Sequence, residues 1–160
     1  MLNDSNKDIL VLKALNLPTY DFSLRKQGQS TEIFDSIRRK FVALTPEEWV
    51  RQHLLRYLLE DRQYPATLLA VEMEIGLGKL RKRCDAVLHD RNARPLMIVE
   101  CKAPEVKISQ HTFDQAARYN QALNVDYLLI SNGLEHFCCR VNAAEQRFDF
   151  LPGIPHFTEL

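Results

Sequence analysis

Three short strand patterns follow one another between residues 68 and 102, and they restrict the fold more than any other part of the sequence. The first, LLAVEMEIG at residues 68–76, has the period of a half-buried strand, with one apolar face made by Leu69, Val71, Met73 and Ile75 and the other face by Ala70, Glu72 and Glu74. RKRCDAVLHD at residues 81–90 and LMIVECK at residues 96–102 follow after short links. Short links between successive strands predict an antiparallel meander.

Helix signals lie on both sides of this meander. T-P-E-E at residues 45–48 is a capping box, and it predicts a helix from Pro46 to about Glu60. Its apolar residues recur on one helical face, at Val50, Leu54, Tyr57 and Leu58. The segment ISQHTFDQAARYNQAL, residues 108–123, is typical of a second helix, with Ser109 or Thr112 as its cap.

The order of these elements predicts the fold class. DYLLISNG, residues 126–133, reads as an apolar strand ended by Asn-Gly, and HFCCRVN and RFDFLP offer one or two more. The order α-β-β-β-α-β-β predicts an α/β fold of the mixed α+β kind, with a central mixed sheet flanked by helices. This domain should span residues 45–160. Residues 1–44, with short strand-like pieces around KQGQST, are expected to form an N-terminal arm or hairpin packed on it, within a single domain overall.

Charge and cysteine content restrict the expected partners and the expected cellular compartment. Twenty-one basic and twenty-one acidic side chains cancel, so a polyanion would have to be bound by a local patch. The first residues lack the pattern of a secretory signal, and no window approaches about 18 consecutive apolar residues. We therefore expect a cytoplasmic protein with no membrane partner, whose four cysteines are reduced thiols: Cys84, Cys101, Cys138 and Cys139.

Charged residues close the third strand pattern. Successive side chains of a strand point to opposite faces, so Glu100 and Lys102 should share one face and Cys101 the other. If residues 91–94 form the hairpin loop before this strand, Asp90 pairs with Pro95. Counting back then places Asp85 opposite Glu100, and Cys84 opposite Cys101 on the reverse face.

Two carboxylates opposed across a strand pair repel each other unless a cation lies between them. A hard divalent ion such as Mg²⁺ binds through one or two carboxylates together with waters and phosphate oxygens. Lys102 would then orient or deprotonate a water, or hold a phosphate. These parts suit metal-assisted phosphodiester hydrolysis. The alternative is a solvated cluster of ion pairs at a sheet edge.

The full pattern resembles a known group of nucleases. Asp85 is followed after fourteen residues by Glu100-Cys101-Lys102, and a helix then carries QAARY. This pattern resembles the PD-(D/E)xK nuclease superfamily and, within it, the N-terminal domain of the type I restriction enzyme R subunit, over roughly residues 46–142. Cys84 stands where the superfamily signature has proline.

The resemblance implies a restriction-endonuclease-like core and a set of site residues. It implies that Asp85 and Glu100 bind Mg²⁺, or Mn²⁺ in its place, that the carbonyl of Cys101 adds a ligand, and that Lys102 serves the nucleophilic water. Gln115 and Tyr119 match the Q-x-x-x-Y motif of that branch. Because they are four residues apart they lie on one helical face, from which they could hydrogen-bond Lys102 or a phosphate. Without the resemblance they read as a surface glutamine and a half-buried core tyrosine.

Further residues admit two interpretations each. Glu48 either completes a metal shell or only serves the capping box, and Glu72 and Glu74 are weaker candidates for the same shell. The basic runs 38–40 and 79–83 are either phosphate contacts or solvated turns. His136 with Cys138 and Cys139 lacks the ligand spacing of structural zinc, which favours buried thiols.

The expected function is Mg²⁺-dependent hydrolysis of DNA. The motor of type I R subunits is not expected within these residues, since G-x-x-x-x-G-K-[ST] does not occur. The expected partners are DNA, a second copy in a homodimer, and a separate translocase or specificity protein. Two alternatives stay open, namely a nucleic-acid-binding module that keeps the fold without cutting, and an interaction domain whose acids form a buried ion network. The sequence does not separate DNA from RNA, or endonuclease from exonuclease.

Overall fold

Two β-sheets and two α-helices make up the part of the chain that the computed structural model describes, residues 12–160 without the side chains of Leu77 and Leu80. The helices are α1 (Pro46–Glu60) and α2 (Gln110–Leu123). The smaller sheet contains β1 (Leu24–Gln27), β2 (Ser30–Asp35) and β3 (Lys40–Ala43). The larger sheet contains β4 (Leu69–Leu77), β5 (Leu80–His89), β6 (Pro95–Cys101), β7 (Tyr127–Ser131), β8 (His136–Asn142) and β9 (Arg147–Phe150).

The larger sheet is mixed, and its six strands lie in sequence order. Strands β6 and β7 are parallel, because α2 carries the chain back across the sheet between them. The other neighbouring strands are antiparallel. The predicted mixed α+β class is therefore confirmed. Strand β9 is the second of the two strands that the sequence offered after residue 133.

Helix α1 follows its predicted bounds. The Thr45 hydroxyl accepts a hydrogen bond from the Glu48 N–H at 3.0 Å, and Pro46 occupies the first turn. The expected apolar positions Val50, Leu54 and Leu58 are fully buried. Helix α2 begins after Ser109, the first of its two candidate caps. Neither helix is long and apolar enough to cross a membrane, and the same holds for every helix among residues 12–160.

The core consists of one apolar layer on each face of the larger sheet. On the α1 face, Leu54 and Leu58 pack with Ala86, Val99 and Leu129. On the α2 face the buried residues include Phe113, Ala116, Val87, Ile98, Leu128 and Ile130. All four cysteines are free and buried, with Cys138 in the α1 layer and Cys139 in the α2 layer. The two side chains of that vicinal pair therefore point to opposite faces of the sheet, which excludes a shared metal ion.

The smaller sheet contains one strand more than the expected hairpin. Asp35, at the end of β2, joins this sheet to α1. Its carboxylate accepts a hydrogen bond from Gln52 Nε2 on α1 at 2.9 Å, and another from Arg38 Nε, in the turn between β2 and β3, at 2.6 Å. The sheet is thus attached at the first turns of α1. Residues 1–11 of the predicted N-terminal arm lie outside the described part of the chain.

The predicted single apolar face of β4 is wrong. Leu69 and Val71 pack in the α1 layer, whereas Met73 and Ile75 pack in the α2 layer. Between the two pairs lies Glu72, whose φ of 57° is in the left-handed region that residues with side chains rarely adopt. A left-handed residue interrupts the alternation of side chains, so the strand changes the face to which its apolar residues point.

Strand β5 changes face at the same level. Ala86 belongs to the α1 layer and Cys84 to the α2 layer, although regular alternation would place both on one face. The β4–β5 register pairs Val71 with Ala86 and Met73 with Cys84, so Asp85 lies at the level of Glu72. The double change of face therefore places Asp85 at the boundary between the two layers.

The register of β5 and β6 differs from the prediction near the hairpin loop. His89, and not Asp90, pairs with Pro95, because the register shifts by one residue between Leu88 and His89. Beyond this irregularity Ala86 pairs with Val99. The same register continued by one residue would place Asp85 opposite Glu100, as counting from the loop predicts. The prediction that Cys84 and Cys101 share the reverse face is wrong, since Cys84 lies in the α2 layer and Cys101 in the α1 layer.

His53 should lower the stability of the protein in mild acid. Its ring lies among aromatic side chains, 4.1 Å from Trp49 and 4.8 Å from Phe22 between ring centroids, and Nδ1 donates to the Trp49 carbonyl at 2.9 Å. Burial lowers the pKa of His53 below its ordinary value of 6.5. The unfolded chain therefore takes up a proton at a higher pH than the folded chain does, and stability falls as the pH drops through about 6.5.

The measurement is the midpoint of urea unfolding at pH 7.5 and pH 5.5 for the unmodified protein and for His53→Gln. We expect a smaller loss of stability on acidification in the variant. Equal losses in the two proteins would contradict the assignment to His53.

Candidate active site

Asp85 is held by donors from two elements. Its Oδ1 accepts hydrogen bonds from Nη2 and Nε of Arg51 on α1, the second at 3.0 Å, and its Oδ2 accepts the Cys101 N–H at 2.7 Å. A carboxylate offers about four lone-pair directions, two on each oxygen. Three of them are used by these donors. The remaining direction of the Asp85 carboxylate is therefore on Oδ2, the oxygen beside β6.

Glu100 lies at the end of β6 and is only 8% exposed. Its Oε1 is buried and has no hydrogen-bond partner among residues 12–160. Burial raises the pKa of Glu100, and the neighbouring Asp85 carboxylate raises it further, while the Lys102 ammonium opposes the rise. A buried acceptor without a donor is costly, which favours a protonated carboxyl or a bound cation at this oxygen.

Arg51 is the central residue of the site that the sequence analysis missed. Its side chain is 8% exposed and contacts acids from three elements: Glu48 Oε2 at 2.5 Å, Glu72 Oε1 at 2.7 Å, and Asp85. A signal was present in the sequence. Arg51 lies three, four and seven residues before Leu54, Leu55 and Leu58, which places an arginine on the buried side of α1.

The further acids considered from the sequence are bound to arginines. Glu48 accepts from Arg51 through Oε2 and from Arg38 and Gln52 through Oε1, while only its N–H takes part in the cap, by donating to the Thr45 hydroxyl. Glu72 lies between Arg51 and Arg83, and Glu74 pairs with exposed Arg81 at 2.9 Å. Within residues 12–160 no three side chains of His, Cys, Asp or Glu are grouped to hold a metal ion.

Cys101 and Lys102 end β6 beside the acids. The Cys101 thiol is buried in the α1 layer, opposite the face of Glu100, and burial raises its pKa far above the ordinary value. The main chain of Lys102 is fixed by donation of its N–H to the Ser131 carbonyl at 2.8 Å. Lys102 is half-buried, and its ammonium opposes the rise that burial causes in the pKa of Glu100 and of Glu47, so it lies beside Glu100 as predicted and also near Glu47.

The two helix residues of the predicted site differ in their placement. Tyr119 packs against the α2 layer, and burial together with Glu100 raises its pKa to about 12. Its ring therefore lies on the Glu100 side of the sheet. Gln115 contacts His111 within the same helix, at 3.3 Å between their Nε2 atoms, and the structure does not bring it to Lys102.

The two basic runs have different environments. In the first, Arg38 is mostly buried and paired with Asp35 and Glu48, whereas Arg39 and Lys40 are exposed. In the second, the Arg83 side chain is 67% exposed and lies 3.6 Å from Glu72. Both runs therefore leave exposed cations, and Arg83 of the second run lies close to an acid that contacts Arg51.

The fold and site together define a mixed α+β domain, with one helix on each face of its larger sheet and with acids gathered where β5 and β6 meet. The family described as the type I restriction enzyme R protein N terminus matches residues 46–155. This chain belongs to that family. The resemblance seen in its D-x14-E-x-K pattern is thus confirmed at the level of the family.

A solved structure supports the same fold. It is the fragment structure of a putative HsdR subunit of a type I restriction enzyme from Vibrio vulnificus YJ016, with a TM-score of 0.54 and 19% sequence identity over 73% of the present chain. The match covers 24% of that chain, so the present sequence corresponds to a minor part of it. No curated protein matches this sequence.

Proposed function

We propose that this domain is a Mg²⁺-dependent nuclease that hydrolyses phosphodiester bonds of DNA. The observation that carries the proposal is the buried Oε1 of Glu100, which has no partner among the described residues and lies beside a second carboxylate, Asp85. A cation at this point would offset the repulsion between the two acids and would give the unpartnered oxygen a ligand bond.

The residues present fit a hard divalent cation. Glu100 Oε1 and the remaining lone pair of Asp85 Oδ2 are oxygen ligands, and the proposed third ligand is the carbonyl oxygen of Cys101. Mg²⁺ and Mn²⁺ prefer oxygen ligands, keep several waters and accept phosphate oxygens in the open positions. When bound, such an ion stabilises the charge that develops on the phosphate and lowers the pKa of the attacking water.

The chain's own side chains would complete the reaction. The Lys102 ammonium, next to Glu100, is assigned to hold and orient the attacking water. Tyr119, on the Glu100 side of the sheet, is assigned to position the scissile phosphate. Gln115, which is also on α2, is assigned to position the same phosphate. It would have to break its contact with His111 to reach that phosphate.

The membership of the type I restriction R-protein family supports DNA as the substrate and other restriction subunits as partners. Exposed cations of both basic runs, among them Arg39 and Arg83, would contact the phosphate backbone. Cleavage of both strands requires two sites or two successive events. A homodimer, or assembly with a separate translocase or specificity protein, would meet that requirement.

Supercoiled-plasmid nicking tests the proposal. The purified protein at low salt should convert supercoiled plasmid to open circles with Mg²⁺ or Mn²⁺ and not with EDTA. Titration calorimetry without DNA should detect binding of Mn²⁺ by the same sample. Nicking that is unchanged by EDTA would contradict a metal-dependent reaction, and absence of both binding and nicking would overturn the proposed function.

A second candidate function is a DNA-binding module that keeps this fold and does not cut. It is favoured by the three donors on Asp85 and by the lack of a three-residue His, Cys, Asp or Glu group within residues 12–160. The same experiments separate the two functions. DNA binding at low salt without metal binding and without nicking would support the module, whereas absence of DNA binding as well would indicate an interaction domain.

A further inference from the structure

We propose that Arg51 is a positioning residue of the nuclease site, which fixes the Asp85 carboxylate so that Oδ2 is presented to the metal. The inference rests on the proposed function. It assigns a role to a side chain on α1 that lies outside the D-x14-E-x-K and Q-x-x-x-Y patterns. Arg51 itself is not assigned as a ligand, since a guanidinium offers donors only.

Donors occupy most of the lone-pair directions of the Asp85 oxygens. Arg51 donates twice to Oδ1, through Nε and Nη2, and these two bonds fix the position of that oxygen. The plane of the carboxylate is then fixed by a donor on its other oxygen. The Cys101 N–H donates to Oδ2 from β6. One direction of Oδ2 remains for a cation, beside the strand end that carries Glu100. Groups that fix a metal ligand by hydrogen bonds typically change metal affinity 10–100-fold when they are removed.

Arg51 is itself held in place by two acids. Glu48 binds Nη1 at 2.5 Å from one turn earlier on α1, and Glu72 binds Nη2 at 2.7 Å from β4. Glu72 keeps this contact from a left-handed backbone conformation at the point where β4 changes face. The conformation that interrupts the strand therefore also directs a carboxylate at Arg51, and the two acids oppose free rotation of its guanidinium.

A competing interpretation makes Arg51 a substitute for the metal, with the guanidinium neutralising the acids until the ion displaces it. The two interpretations predict opposite changes in metal affinity. Removal of a substitute would strengthen binding, because a competitor is lost. Removal of a positioning residue would weaken binding, because Asp85 would lose its orientation.

The test compares Arg51→Met and Arg51→Lys with the unmodified protein. Methionine removes both donors, whereas lysine keeps a positive charge among the acids and loses the planar pair of bonds to Oδ1. Arg56→Met is the matched control, since Arg56 is on the same helix and pairs with the exposed Glu60 at 3.1 Å. The readout is Mn²⁺ binding without DNA, followed by electron paramagnetic resonance of the free ion, with thermal unfolding of the metal-free proteins measured alongside.

We expect Mn²⁺ affinity to fall at least about tenfold in Arg51→Met and by a smaller factor in Arg51→Lys, with no change in the Arg56→Met control. In nicking assays the Mn²⁺ concentration for half-maximal rate should rise more than the saturated rate falls. If Arg51→Met does not fold, the Mn²⁺ affinity of Arg51→Lys tests the inference. Unchanged or stronger binding in folded Arg51→Lys overturns the inference alone, whereas absence of binding by the unmodified protein overturns the proposed function and the inference together.

Discussion

Glu100→Gln should abolish metal-dependent nicking and leave the metal-free protein at least as stable as the unmodified one. Glutamine keeps the shape of the side chain but removes the charge that binds a cation. Loss of a metal that contributes several kcal/mol of charge stabilisation corresponds to a fall in rate of at least about a hundredfold. The measurement is the initial rate of plasmid nicking at saturating Mg²⁺.

The expected gain in stability follows from the pKa of Glu100. Because burial raises this pKa, the unfolded chain releases its proton at a lower pH than the folded chain does. The buried acid therefore destabilises the fold increasingly as the pH rises above its ordinary value of 4.5. Glutamine does not titrate, so the advantage of the variant in urea unfolding should be larger at pH 8 than at pH 5.

Glu105→Gln is the matched control for this prediction. Glu105 follows Glu100 by five residues and is exposed, so its replacement should change neither the nicking rate nor the dependence of stability on pH. Nicking by Glu100→Gln at the rate of the Glu105→Gln control would show that Glu100 does not bind the essential ion. A variant less stable than the unmodified protein at pH 8 would contradict the raised pKa.

The parts of the fold that could be predicted depend on contacts near in sequence. The bounds of α1 follow from its capping box and its apolar spacing, and the pairing of β5 with β6 follows from a short loop. The register irregularity between Leu88 and His89 was not visible in the sequence, yet it only changed the pairing at the loop. Counting from the loop therefore still predicted the neighbours Asp85 and Glu100.

The parts that could not be predicted depend on contacts distant in sequence. Arg51 meets Asp85 across 34 positions, and the pairing exists only because α1 packs over the point where β4 and β5 change face. Glu72 gives no sign of a left-handed backbone, because glutamate is not a residue that favours it. The alternation in LLAVEMEIG therefore predicted one continuous face, and the role of Glu72 as a partner of Arg51 stayed hidden.

Asp85→Ala should destabilise the protein by about 3–5 kcal/mol, the usual result of removing one partner of a buried charge pair. The change leaves the Cys101 N–H without its acceptor and leaves the Arg51 guanidinium buried with fewer compensating acids. The measurement is the free energy of unfolding in urea at pH 7 without metal. The two acids of the site should thus have opposite effects on stability, since Asp85 has three donors and Glu100 Oε1 has none among residues 12–160.

Asp126→Ala is the matched control, because Asp126 also pairs with an arginine, Arg94, at 2.8 Å, but both side chains are 49% exposed. An exposed ion pair contributes about 1 kcal/mol or less. A loss in Asp85→Ala as small as that of the control would mean that Arg51 does not depend on Asp85. A large loss in Asp85→Ala beside none in Glu100→Gln would locate the stabilising contacts at Asp85 and Arg51, and it would leave Glu100 as the acid whose cost to the fold is offset only when a cation binds.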